Sequence, residues 1–285
     1  MGMDYSMRPR LHNLLAMLAL GLVLLTACTA VAQNDAKPDP DPSSPDAEPK
    51  QVEGAKQPAA SDEVVELLRR IESESAKLNT LKTRVRYTRL QGLTGDEQRR
   101  FGDFYYVAGD EDKPTRFAVL FDRLVIDERA RPMETWYVFD GNWLLERDHE
   151  DKTAVRRELV PKGAERSDML NMGEGQLPIP LKLKADQVLK QYKVDKLEDV
   201  PFGDQTLHHL KLTPLKGGKD VTPVELWFDS KTLLLQKIVT EEDGDEIEML
   251  FPTPKLNPEI KQEVFETQLP DKKDGWQVQE VPIDN

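Results

Sequence analysis

The sequence predicts an α+β chain dominated by antiparallel strands: one strongly curved sheet or barrel covered by a few helices. Three observations predict it. About ten runs rich in β-branched and aromatic residues follow one another in hairpin order. One amphipathic helix precedes them, and a single stretch from Lys162 to Tyr192 breaks the strand pattern. Tight turns between successive strands require antiparallel pairing and exclude a parallel α/β fold.

The helix begins at Ser61, a capping residue followed by Asp62 and Glu63, which suit the positive end of the helix dipole. Val64, Leu67, Leu68, Ile71 and Leu78 recur at helical spacing on one face, so that face packs on a sheet. Strands are expected over Thr80 to Leu90, Phe101 to Val107 and Phe117 to Phe121. Thr135 to Phe139 and Asn142 to Glu146 flank Asp140-Gly141, a pair suited to a type I′ hairpin turn. A strand from Ala154 to Leu159 follows. Beyond it, Ala164 to Met172 reads as a short helix ending at Gly173 and Gly175. Leu177-Pro178-Ile179-Pro180 suits neither a helix nor a central strand, and Ala185 to Tyr192 reads as a second short helix. A meander closes the chain: Thr206 to Thr213, Val221 to Phe228, Leu233 to Thr240 and Glu246 to Phe251. Its turns hold Gly217-Gly218, Asp229-Ser230-Lys231 and Asp243-Gly244.

The N-terminal region reads as an export signal. Arg8 and Arg10 precede an uncharged apolar run from Leu14 to Leu25, shorter than the ~20 residues that span a bilayer. The single cysteine, Cys28, follows Leu25-Thr26-Ala27 and fits a bacterial lipobox. Ala30-Val31-Ala32 also fits ordinary cleavage, so lipidation of Cys28 and release after Ala32 both stand. Residues 29–60 are rich in Pro and Asp and poor in apolar groups, which predicts a disordered linker. The folded domain is then residues 61–285, without any disulfide.

Much chemistry is excluded. A net charge of −13 argues against nucleic acid as a partner. No G-x-S-x-G, Walker loop, H-E-x-x-H or C-x-x-C is present, so no enzyme activity and no cofactor are expected. His208 and His209 are adjacent on a strand and point to opposite faces, so they cannot chelate one metal. The acidic run Glu241 to Glu246 lacks the spacing of a calcium loop, and its Asp-Gly turn accounts for it.

Three further runs occur in a telling order. Trp136-Tyr137-Val138-Phe139-Asp140-Gly141-Asn142-Trp143-Leu144 comes first, and Val224-Glu225-Leu226-Trp227-Phe228-Asp229 leading to Leu235-Gln236-Lys237-Ile238 comes second. Phe265-Glu266-Thr267-Gln268-Leu269-Pro270 followed by Gly275-Trp276-Gln277-Val278 closes the chain. Across residues 61–280 this order resembles the LolA/LolB lipoprotein-carrier superfamily. The resemblance implies a half-closed β-barrel whose apolar concavity receives acyl chains of lipoproteins or lipids under displaceable helices. Such binding needs no reactive group, because each buried CH₂ contributes ~0.8 kcal/mol. The concave face would then hold Phe104, Tyr106, Phe117, Val119, Phe121, Trp136, Val138 and Trp143, positions that serve equally to fill a core. Met169, Leu170, Met172, Leu177 and Ile179 would form the lid. Carriers of this kind hold the lid through an early-strand arginine, and Arg84, Arg86 and Arg89 all qualify by position. The implied setting is the periplasm, with a lipidated Cys28 anchoring the chain at the outer rather than the inner membrane. The alternative is a tethered sensor or scaffold of the same fold that binds a protein and carries no lipid.

Overall fold

The computed structural model describes residues 60–110, 113–160, 171–172 (backbone), 181–215, 222–252 and 254–283. Its frame is a 14-stranded sheet. The N-terminal half contributes β1 (Thr80–Leu90), β2 (Glu97–Val107), β3 (Arg116–Ile126), β4 (Arg129–Phe139), β5 (Trp143–Asp148) and β6 (Thr153–Glu158). The C-terminal half contributes β9 (Tyr192–Lys196), β10 (Val200–Phe202), β11 (Gln205–Pro214), β12 (Val224–Asp229), β13 (Leu235–Glu242) and β14 (Asp245–Leu250). Two short strands, β15 (Lys255–Leu256) and β16 (Gln277–Val281), complete it. β1 pairs antiparallel with β14 and joins the halves, and β16 runs parallel to β6. The path ends at β10 and β16, which do not pair with each other, so the sheet is open.

The ten runs expected from sequence all appear. The added strands are β9, β10, β15 and β16, each of two to five residues, too short to carry a period-2 signal. A separate parallel pair, β7 (Asn171–Met172) with β8 (Lys182–Leu183), replaces the end of the helix expected over Ala164 to Met172. The remainder of that expected helix lies outside the described residues, as do Cys28, the linker, and Met169, Leu170, Leu177 and Ile179 of the expected lid. Met172 is described by its backbone alone.

Three bulges bend the sheet, at Phe101/Gly102, Phe121/Arg123 and Trp227/Phe228. Glycine is required at one of them, since a Cβ on Gly102 would lie 2.2 Å from the Leu120 carbonyl oxygen. The concave side is covered by α1 (Asp62–Ser75) and α2 (Ala185–Gln191). Ser61 caps α1 by accepting the Val64 N–H at 3.3 Å. Val64, Leu67, Leu68 and Ile71 are buried in the core that the sheet and both helices share, as the helical spacing predicted.

The Asp140-Gly141 turn differs from its expected form. Only Gly141 has positive φ (107°), so the turn is not type I′. The Asp140 carboxylate instead accepts the N–H groups of Asn142 at 2.9 Å and Trp143 at 2.8 Å. The Thr267 hydroxyl donates to the same carboxylate and pins the C-terminal segment there. Two residues with positive φ do occur at Asp127 and Glu128, between β3 and β4, and at Asp243 and Gly244, between β13 and β14.

Candidate functional site

Strand alternation and register define the floor of the concavity. Phe104 faces across to Val119, and Tyr106 to Phe117. Phe117 pairs with Phe139, Val119 with Tyr137, and Phe121 with Thr135. Five of the eight expected residues, Phe104, Tyr106, Phe117, Val119 and Phe121, therefore meet on the helix-covered face, all buried. Ring contacts tie the floor together. Phe104 and Phe251 are 5.5 Å apart between centroids, as are Phe117 and Phe139, and Phe121 stands edge-on to Tyr137 at 6.2 Å.

Trp136, Val138 and Trp143 do not join them. Register puts Tyr137 and Phe139 of β4 inward, so Trp136 and Val138 point to the opposite face. Phe139 pairs with Leu144, which turns Trp143 outward as well. Val138 packs in a second, smaller core with Ala118, Leu145, Ala154 and Phe265, roofed by the C-terminal segment. Trp136 sits there beside His149 (4.6 Å) and beneath Arg147 (5.2 Å). Trp143 lies under Arg156 at 4.2 Å. Sequence reasoning missed Tyr137, Phe139, Leu144 and Tyr87 as concave-face residues.

Among the described residues, α1 and α2 pack directly on the floor. One crevice encloses about 20 Å³ between Ile71, Leu78, Leu81, Leu181, Phe228 and Leu233. That is room for roughly one water, where pockets for small organic ligands take ~300–1,000 Å³. Polar links also fasten the cover. Beyond its own cap and last turn, α1 has two among the described residues. Glu63 pairs with Lys196 at 2.8 Å, and Glu72 accepts the Ala185 N–H at 3.3 Å.

The face changes character toward the hairpin tips. Along β1 the inward residues run Val85, Tyr87, Arg89; along β13 they run Ile238, Thr240, Glu242. Arg89 pairs with Asp245 at 2.5 Å, and Asp245 also accepts the Gly92 N–H at 3.1 Å. This draws the β1–β2 tip onto the β13–β14 tip so closely that a Cβ on Gly92 would lie 2.0 Å from the Gly244 carbonyl oxygen. Leu93 at that tip is fully exposed. Burial pushes the Tyr87 hydroxyl up to about 12, against the pull of Arg100 and Arg89. Burial also raises Glu242, with Arg89 opposing and Asp243 and Asp245 adding to the rise. Of the three early arginines, Arg89 alone faces inward. Arg86 pairs with Glu248 at 2.6 Å and Arg84 with Asp122 at 2.7 Å, both on the outer face.

No three metal-ligating side chains gather among the described residues. His208 and His209 go their separate ways, to Asp199 at 3.1 Å and to Glu225 at 2.8 Å. No helix among the described residues is long and apolar enough to cross a membrane.

No protein-family model matches the chain, and no curated protein matches it. Among solved structures, the chain is similar to MucB at 13% identity and a TM-score of 0.43, over 74% of this chain and 65% of that one. It is similar to the lipoprotein LppX of Mycobacterium tuberculosis at 12% identity and a TM-score of 0.40, over 70% of this chain and 99% of LppX. A putative outer membrane lipoprotein-sorting protein domain from Vibrio parahaemolyticus is similar at 11% identity and a TM-score of 0.34, over 70% of this chain and 95% of that domain. The chain thus spans less than two thirds of MucB but nearly all of the other two. At TM-scores of 0.43 and under, the likeness does not assign the chain to a family.

Proposed function

We propose that the concavity takes acyl chains of lipoproteins or lipids, with α1 and α2 occupying it in the unloaded state. The chain then transfers or receives such cargo in the cell envelope and carries out no catalysis. One observation carries the reading: among the described residues, a broad floor of buried rings is covered by two helices of 14 and 7 residues and one two-residue strand pair rather than by an extended second sheet. Apolar contacts between helix and floor are non-directional, so an acyl chain can substitute for Val64, Leu67, Leu68 and Ile71 at similar free energy. The two polar links of α1 are ion pairs and hydrogen bonds of the kind worth about 1 kcal/mol each. On this reading residues 1–28 direct export, Cys28 carries the lipid anchor, and residues 29–60 tether the domain at the periplasmic side of the outer membrane.

The close packing of the described cover on the floor, with a crevice of about 20 Å³, favours a second reading: a sensor or scaffold whose surface binds a protein. Hydrogen exchange with and without a triacylated lipopeptide distinguishes the two. Carriage predicts faster exchange along 62–75 and 185–191 when lipopeptide is present, with the strands unchanged. Exchange unmoved by lipopeptide, together with no lipid on protein purified from membranes, would overturn carriage and leave the scaffold.

A further inference from the structure

Toward the hairpin tips the floor of the concavity becomes polar. Four neighbouring strands show the same gradient. Inward residues pass from Phe104 to Arg100 on β2, from Val85 to Arg89 on β1, from Phe251 to Asp245 beside and along β14, and from Ile238 to Glu242 on β13. A core that only had to be filled gains nothing from this arrangement, because polar groups out of water lose hydration.

Two groups at that end have buried polar atoms without a hydrogen bond. Glu242 is more than nine-tenths buried, and neither of its carboxylate oxygens has a hydrogen bond. Arg100 has a buried Nε without a hydrogen bond and makes no ion pair among the described residues. Its guanidinium lies 5.6 Å from the centre of the Tyr87 ring, which stands on β1 between the strands of Arg100 and Glu242. Arg89 opposes the Glu242 charge from nearby without a hydrogen bond to either of its oxygens, and its Nε pairs with Asp245 at 2.5 Å.

An unpartnered buried carboxylate is costly, and native proteins seldom keep one without a use. If the concavity takes acyl chains, the polar end faces the headgroup of that cargo. On that reading, we propose that the hairpin-tip end of the concave face is a subsite for a zwitterionic headgroup, its ammonium pairing with Glu242 and its phosphate with Arg100. Each group would gain a hydrogen-bonded counter-charge, and the tails would lie toward Phe104 and Phe117. An ammonium supplies N–H donors to both oxygens of Glu242, and a guanidinium suits phosphate.

Native mass spectrometry of the purified chain tests this, with phosphatidylethanolamine and phosphatidylglycerol of identical acyl chains offered together in equal amounts. The chain is expected to favour phosphatidylethanolamine roughly fivefold, the effect of one charge-assisted contact. Glu242→Gln is expected to bring the ratio to about one while total lipid is retained, and Glu242→Asp to keep the direction of the preference. Arg100→Gln lowers both lipids alike. Equal binding by the unaltered chain, a preference that survives Glu242→Gln, or full binding by Arg100→Gln would overturn the subsite and leave acyl-chain carriage standing. Binding of neither lipid by the unaltered chain would overturn both.

Discussion

The two faces of the sheet use aromatic residues in opposite ways. On the concave face rings meet rings: Phe104 with Phe251, Phe117 with Phe139, Phe121 with Tyr137 and Tyr87. On the convex face rings meet cations. Trp136 and Trp276 lie against Arg147, Trp143 against Arg156, Trp227 against Lys237, and Phe101 against Arg123. All four tryptophans of the chain are in the second group. The difference teaches what each face is for. The ring cluster of the concave face is dry, and the charges of that face stand toward the hairpin tips. A wet face uses the same rings as platforms beneath charged side chains that keep contact with water.

Truncating one ring from each face gives the largest contrast. Phe104→Ala, at a position with no exposed surface, is expected to cost about 3–5 kcal/mol in urea unfolding. Trp136→Ala removes contacts with His149 and Arg147 at a half-buried position and is expected to cost about 1–2 kcal/mol. Acyl-chain binding should suffer in the first variant and not in the second. Equal losses would mean that the faces are not distinct in their energetics.

β4 shows why this division was only partly legible. Its residues Thr135 to Phe139 are Thr, Trp, Tyr, Val and Phe, so either phase of alternation offers a plausible buried face. Within β2 and β3 the polar residues Asp103, Arg116 and Asp122 fix the phase, and the inward sets were correct there. Only the pairing of Phe117 with Phe139 decides β4, and pairing is a long-range fact. The convex cover was hidden for a similar reason. Phe265 and Trp276 were noticed as a closing motif, but nothing local says that they roof Ala118 and Val138. Glu242 belonged to an acidic run explained by its turn. The turn accounts for Asp243 and Gly244 and leaves the burial of Glu242 unexplained.

The comparison sharpens further on a pair of glutamates from adjacent strands. Glu242 on β13 faces inward without a hydrogen bond, whereas Glu248 on β14 faces outward and accepts from Arg86 at 2.6 Å and Lys237 at 2.7 Å. Burial raises Glu242, so folding favours its neutral form relative to the unfolded chain. The resulting stability is present below the unfolded pKa and is lost as pH rises through the folded one. Glu242→Gln should therefore stabilise the chain by about 1 kcal/mol at pH 7 and by much less at pH 4, measured as urea midpoints. Stabilisation that is the same at both pH values would show that the carboxylate is solvated in solution.

Glu248 carries the smallest expected effect and the opposite sign. Burial pushes its carboxyl up, but the hydrogen bonds from Lys237 and Arg86 outweigh it and hold the group below the usual carboxylate range. A depressed pKa contributes stability above the unfolded value, and that contribution is lost as pH falls through the folded value. Glu248→Gln should then cost up to about 1 kcal/mol at pH 7, a modest figure because Arg86 remains partly in water. The cost should shrink in acid, where the glutamate of the unaltered chain is protonated too, and in high salt, which screens the outer side of the bridge. Glu242→Gln and Glu248→Gln thus move the stability–pH curve in opposite directions. If both variants stabilised the chain at neutral pH, the convex bridge would be no better solvated or paired than the concave carboxylate, and the distinction between a dry face and a wet one would fail at its own strand pair.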